Sequence, residues 1–241
     1  MTDLTLNLNT VKSSGSKKFT PALALEADTY MCRVVQVVTV GLQEQRPFQG
    51  EAKGPKDEVQ ITYEFTTEFL LDDAGNPDES KPRWLSEFVP INSLDSDLAK
   101  LTKRYKAIDP KDESKGNLFD LVGRPCMVTV TKNPGVNGKP EKNYIAGVAP
   151  APKGIPFPPL VNAPKVFHID APDLAVFETL PEWLRTKCTA ENLRYAGSVL
   201  EKALTGKSSS VPVAAPVAAT TQAAAVKPAV DEPAYDDDLP F

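Results

Sequence analysis

Residues 59–71 constrain this chain most: Val59, Ile61, Tyr63, Phe65, Thr67, Phe69 and Leu71 alternate with Gln60, Thr62, Glu64, Thr66 and Glu68. A helix would scatter these apolar groups around its axis, whereas a strand puts them all on one side. The pattern therefore predicts a long strand with one face buried and the other wet, and it places Tyr63, Phe65 and Phe69 in the core.

The flanking segments extend the same logic. Residues 29–40, TYMCRVVQVVTV, are dense in β-branched groups and end at Gly41, which predicts a strand before it. The intervening stretch 41–58 holds three glycines and two prolines and reads as a loop. After the turn sequence DDAGNPDESKP, the run RWLSEFVPI predicts a third strand, with Leu85, Val89 and Ile91 on one face and Trp84, Ser86 and Phe88 on the other. Both faces are apolar, so one of them needs cover other than the core. Next, Leu98, Leu101, Tyr105 and Ile108 fall at helical spacing, with Asp95 and Asp97 expected in the first turn. Lys100, Lys103, Arg104 and Lys106 read as a solvated face that complements the helix dipole, with phosphate contact the competing reading. PCMVTVTK and NYIAGVAP then form two short strands joined by NPGVNGKPEK, a hairpin loop.

Strand, strand, strand, helix, strand, strand is the order of a five-stranded OB barrel, whose oligonucleotide track lies on the strand 2–3 face and on the loops joining strands 1–2 and 4–5. Those loops fall here at 41–58 and 132–142. A plain β-sandwich shares this strand pattern. The expected organisation is a flexible arm over 1–18, the OB domain over 19–150, a proline-rich connector over 151–169, a helical segment over 170–205, a disordered linker over 206–234 and an acidic tip over 235–241. Of the 23 prolines, 11 fall within 150–164 and 212–240, so the compact part is shorter than the chain. In the helical segment Pro181 suits a first turn, Thr189 a cap, and Leu193, Ala196, Leu200 and Leu204 a stripe closed by Gly206. Too short to build a core alone, this segment must pack on the barrel or on another chain.

Charge and cysteines narrow the function classes. The net charge is −5, of which residues 207–241 hold −3, so any basic surface is a local patch. Cys32, Cys126 and Cys188 fit neither a disulfide framework nor a zinc-ligand spacing, and are expected as buried, reduced thiols. The start of the chain lacks the apolar core of a signal peptide and the sequence has no membrane-length apolar run, so a soluble, cytoplasmic protein is expected.

The chain ends in AYDDDLPF. Phe241 combines a ring with a terminal carboxylate, Pro240 stiffens the end, and Asp236, Asp237 and Asp238 steer it toward basic surfaces; a solvating acidic tail alone does not explain a final Leu239-Pro240-Phe241. These residues resemble the acidic tip of the single-stranded DNA-binding proteins of bacteria and their phages, which follows a disordered linker. The resemblance covers about the last eight residues, and the helical segment departs from the bacterial pattern. It therefore implies a divergent phage-type member, monomeric or dimeric rather than tetrameric and located in the host cytoplasm. Such a protein coats single-stranded DNA in replication, recombination or repair, and its tip recruits a polymerase, helicase, primase, nuclease or recombinase.

Binding a single strand requires aromatic faces for unstacked bases and cations along the backbone. The candidates are Trp84, Phe88 and Tyr144 with Arg83, Arg124, Lys132, Lys139 and Lys142, and Arg46, Lys53 and Lys56 in the first loop; for each aromatic the competing reading is core packing. Catalysis has no credible residues: His168, the sole histidine, reads as structural, and Gly206-Lys207-Ser208 imitates a phosphate loop but has Glu201 where that loop needs glycine. No cofactor or metal is expected. The rival reading is an adaptor or inhibitor that captures replication proteins through the tip without binding DNA, supported by a barrel carrying 19 basic and 20 acidic residues between Lys17 and Lys153.

Overall fold

The computed structural model describes residues 23–47, 49–72, 74–134 and 141–206; the whole arm, the linker beyond Gly206, the tip and Lys139 lie outside them. Three long strands, β1 (Asp28–Gln43), β2 (Lys56–Leu71) and β3 (Pro77–Pro90), precede the helix α1 (Lys100–Ile108). A 3-10 turn at Leu118–Leu121 leads into β4 (Pro125–Asn133) and β5 (Lys142–Pro150). The short strand β6 (Lys165–Phe167) and the helices α2 (Leu174–Glu178), α3 (Glu182–Cys188) and α4 (Val199–Thr205) follow.

The fold is mainly β. Antiparallel neighbours run in the order β3-β2-β1-β4-β5, and β6 pairs with β1 in parallel. β1 is the hub. Its first half pairs with β4 from Asp28 to Arg33, and after a register shift between Val34 and Gln36 the same side of the strand accepts β6 over Gln36–Val38. A second shift brings Gly41 to φ +80°, where a Cβ would lie 2.6 Å from the Asn192 side chain, so only glycine admits this close approach. Asn192 uses the contact: its Oδ1 accepts the Leu42 N–H at 3.0 Å.

One face of the sheet holds the main core. Val34 and Val37, the β2 residues Val59, Ile61, Tyr63 and Phe65, and Val128, Val130 and Ile145 meet Leu101, Tyr105 and Ile108 of α1 there. Placing Leu101, Tyr105 and Ile108 on one face of α1 is the work of helical spacing. The helix begins later than its sequence suggested: Asp95 and Asp97 precede Lys100, so α1 has no acidic first turn, and Asp97 reaches Lys106 instead. Arg104 is not on a solvated face. It is buried, and it donates through Nε and an Nη to Glu87 at 2.9 and 3.1 Å, while the Tyr63 hydroxyl donates to the same carboxylate at 2.9 Å.

The expected wet face of β2 is also buried. Gln60 and Glu64 are each 1% exposed, and Thr62 and Thr66 are buried beside them. Each polar group has a partner: Gln36 Nε2 donates to Gln60 at 2.9 Å, Thr62 and Ser86 share a hydrogen bond at 2.9 Å, and Thr66 donates to the Met31 carbonyl at 3.0 Å. The cover is the chain beyond β5. The connector is held by Arg33, which donates to the carbonyls of Pro158 (2.7 Å) and Phe157 (3.0 Å). Beyond it, Phe167, Ile169, Phe177, Leu180, Leu184, Cys188 and Leu200 form a second core with Val38 and Val40 of β1. The C-terminal segment therefore packs back on the sheet as three short helices rather than one stretch. Thr189 ends α3 instead of capping a helix start, Ser198 caps α4, and Leu193 is exposed. Gly206 closes α4 in the left-handed region, as its position suggested.

All three cysteines are free and buried. Burial, above all, pushes the Cys126 and Cys188 thiols up to about 12 and raises that of Cys32 as well, which leaves them protonated and unreactive at neutral pH. No helix among the described residues is long and apolar enough to cross a membrane.

Candidate nucleic-acid interface

β3 and β5 are the two ends of the hydrogen-bonded path, and between them lies an open cleft of about 580 Å³. Residues 23–25 form one wall. Asn143 clips Leu25 from both sides, its Oδ1 accepting the Leu25 N–H at 2.7 Å and its Nδ2 donating to the Leu25 carbonyl at 2.9 Å. Arg83 donates to the Leu23 carbonyl, so the same segment is tied to β3. The other lining residues include Leu70, Pro82, Trp84, Leu85, Glu141 and Lys142.

Trp84 is 41% exposed although it stands on a strand of the buried sheet. Strand register explains its setting: Arg33 of β1, Glu64 of β2 and Trp84 of β3 are lateral neighbours on one face. Trp84 donates its indole N–H to Glu64 Oε2 at 3.0 Å, and the same carboxylate accepts from the N–H of Val161 (2.7 Å) and the Nδ2 of Asn162 (2.7 Å). Glu64 thus fixes the ring and the connector together. The indole's one polar group is committed, and its apolar surface is what remains at the solvent. Sequence reading missed Glu64, because a glutamate in an alternating strand looks solvated; the apolar Trp84 opposite it in the register was the available signal.

The structure brings Arg83, Trp84 and Lys142 to one cleft, with Tyr144 44% exposed two residues further along β5 on the Lys142 side of the strand. Lys132 is nearby in the β4–β5 ladder but pairs with Glu26 and Glu141. The bond to Glu26 raises the Lys132 pKa, and burial lowers that of Arg83, whose guanidinium stays charged regardless. Phe88 is built into the second core, with Trp183 edge-on to it at 6.2 Å and Lys187 Nζ 5.2 Å from its ring centre. Arg124 is elsewhere, bound to Asp109 (3.0 Å) and Glu113 (3.1 Å) beside a separate cavity of about 200 Å³. Arg46 and Lys53 lie in the loop between β1 and β2, and Lys56 opens β2 opposite Gln43. Trp84 pairs with Glu64, eight residues from Lys56 and so roughly 26 Å away along the strand. His168 accepts the Asp170 N–H at 3.0 Å and packs against Phe119 at 5.2 Å, a structural setting. No cluster of metal-ligating side chains occurs among the described residues.

Compared with protein-family models, curated proteins and solved structures, the chain matches none.

Proposed function

We propose that this chain is a non-catalytic single-stranded DNA-binding protein of the kind phages carry, built on an OB-type barrel and acting in the cytoplasm. Three features support the barrel: three antiparallel strands precede a helix and a hairpin, β1 is shared by β2 and β4, and the two end strands β3 and β5 face the same cleft. The observation that carries the function is the meeting of a half-exposed tryptophan with Arg83 and Lys142 in that cleft, a stacking face beside two cations. The acidic tip, Asp236, Asp237, Asp238, Leu239, Pro240 and Phe241, lies outside the described residues and supports the same reading through its sequence, as the recruiter of replication or recombination proteins.

The adaptor reading draws on a different observation: several cations are consumed internally, Arg104 by Glu87, Arg124 by Asp109 and Lys132 by Glu26. One titration separates the two. Labelled oligo-dT and a duplex of equal length are added at several salt concentrations, with anisotropy as the readout. DNA coating requires preference for the single strand, a log-log salt slope of roughly −0.7 per neutralised phosphate, and weaker binding by about 1–3 kcal/mol in Trp84→Ala. Absence of binding at low salt would refute coating and leave the adaptor.

A further inference from the structure

We infer that Trp183 is a second base-stacking residue and that α3 lengthens the single-strand track beyond the sheet; the inference rests on the reading above. Trp183 is 52% exposed and lies off the buried stripe of its helix, which is Leu184 and Cys188. The second core is complete without most of its ring. What the indole does touch is Phe88, edge-on at 6.2 Å, and Phe88 stands four residues from Trp84 on the same face of β3, with exposed Ser86 between them. An aromatic line therefore runs from the cleft along β3, the end strand that the connector leaves partly open, onto α3.

Both ends of this line meet basic groups. Lys187, one turn after Trp183, holds its ammonium over Phe88 and forms an exposed ion pair with Glu191 at 2.8 Å. Such a pair is weak enough for a phosphate to replace. The Lys187 carbonyl accepts from Gln43 Nε2 at 3.0 Å, and Gln43 is the register partner of Lys56. α3 thus adjoins the end of the sheet from which the first loop springs, and Trp183 lies between the Trp84 cleft and Lys56 at the start of β2. A partner matched to this surface is a flexible polyanion with flat apolar rings, which is a single strand rather than a duplex with its bases stacked inside.

The chain contains two tryptophans, so each position is visible on its own. In full-length protein, Trp84→Phe leaves Trp183 as the only indole, and Trp183→Phe leaves Trp84. Titration with oligo-dT of about 16 nucleotides, the upper footprint of one OB fold, is expected to quench both. Trp183→Ala is expected to bind that oligomer about 5- to 150-fold more weakly, the stacking range, at an unchanged melting temperature, and Trp183→Phe to recover most of the loss. A Trp183 signal blind to DNA, with Trp183→Ala binding like wild type while Trp84→Ala is impaired, would overturn the extension alone. Failure of wild type to bind, or of Trp84→Ala to weaken binding, would overturn the parent reading and the extension with it.

Discussion

At the scale of single residues, this protein is defined by charged groups held inside. Glu87 stands on the core face of β3 and receives Arg104 twice and the Tyr63 hydroxyl once, with Lys100 at 3.5 Å. Removing Arg104 takes away two of these hydrogen bonds and leaves the buried carboxylate with the Tyr63 hydroxyl and the more distant Lys100. Arg104→Met is therefore expected to cost about 3–5 kcal/mol in urea unfolding, the range for a broken buried pair. Asp109 is a second such group. Burial alone would raise its pKa, but the N–H groups of Ser114 and Glu113 and the Arg124 guanidinium outweigh burial and hold it below the ordinary carboxylate range. Because the folded value lies below the unfolded one, about 3.9, the stabilisation is complete above that value and is lost as pH falls through the folded value. Urea midpoints of wild type and Asp109→Asn should therefore differ at pH 7 and converge in strong acid.

Among the elements, β1 carries the most. It pairs with β2, β4 and β6 and supplies side chains to both cores, which makes the C-terminal segment part of the sheet's stability rather than an appendage. Leu184 of α3 is fully buried against this strand's outer face. Leu184→Ala should cost about 2–5 kcal/mol, and the whole chain should still unfold in one transition, with circular dichroism and tryptophan fluorescence giving the same midpoint. Non-coincident curves would mean that the segment melts separately. The strands themselves were legible from alternation and β-branching, except that β3 starts at Pro77, inside the segment read as a turn, where proline, serine and charged residues give no strand pattern. β6 was not, because three residues directly after Pro164 are too few to show a period. Nor were the turns at 189–198, where Leu193 and Ala196 keep helical spacing along a path that is not a helix.

For the whole molecule, the proposed division of labour is a folded binding unit and a separate recruiting tip. A chain lacking Phe241 is expected to bind oligo-dT as wild type does and to lose pull-down of its replication partner, a helicase, primase, polymerase or recombinase; retained pull-down would refute the role of the tip. The order of strands, the core face of β2 from Val59 to Phe65, the buried thiols and the acidic end were all set by residue type, since period, branching and charge act locally along the chain. Phe69 and Leu71 keep the same alternation but lie beyond the core, Phe69 partly buried and Leu71 exposed. Which apolar groups stay at the surface was a tertiary matter. Trp84 and Phe88 are equivalent in the sequence, two aromatics on one face of one strand, yet Phe88 lies under α3 and Trp84 opens on the cleft. The fate of the polar row Gln60, Thr62 and Glu64 was equally hidden, because alternation distinguishes polar from apolar side chains but not water from a protein partner. That distinction depends on segments about a hundred residues away returning to cover the sheet, Val161 and Asn162 to Glu64 among them. Contacts of such separation leave no period in the chain for a sequence to display.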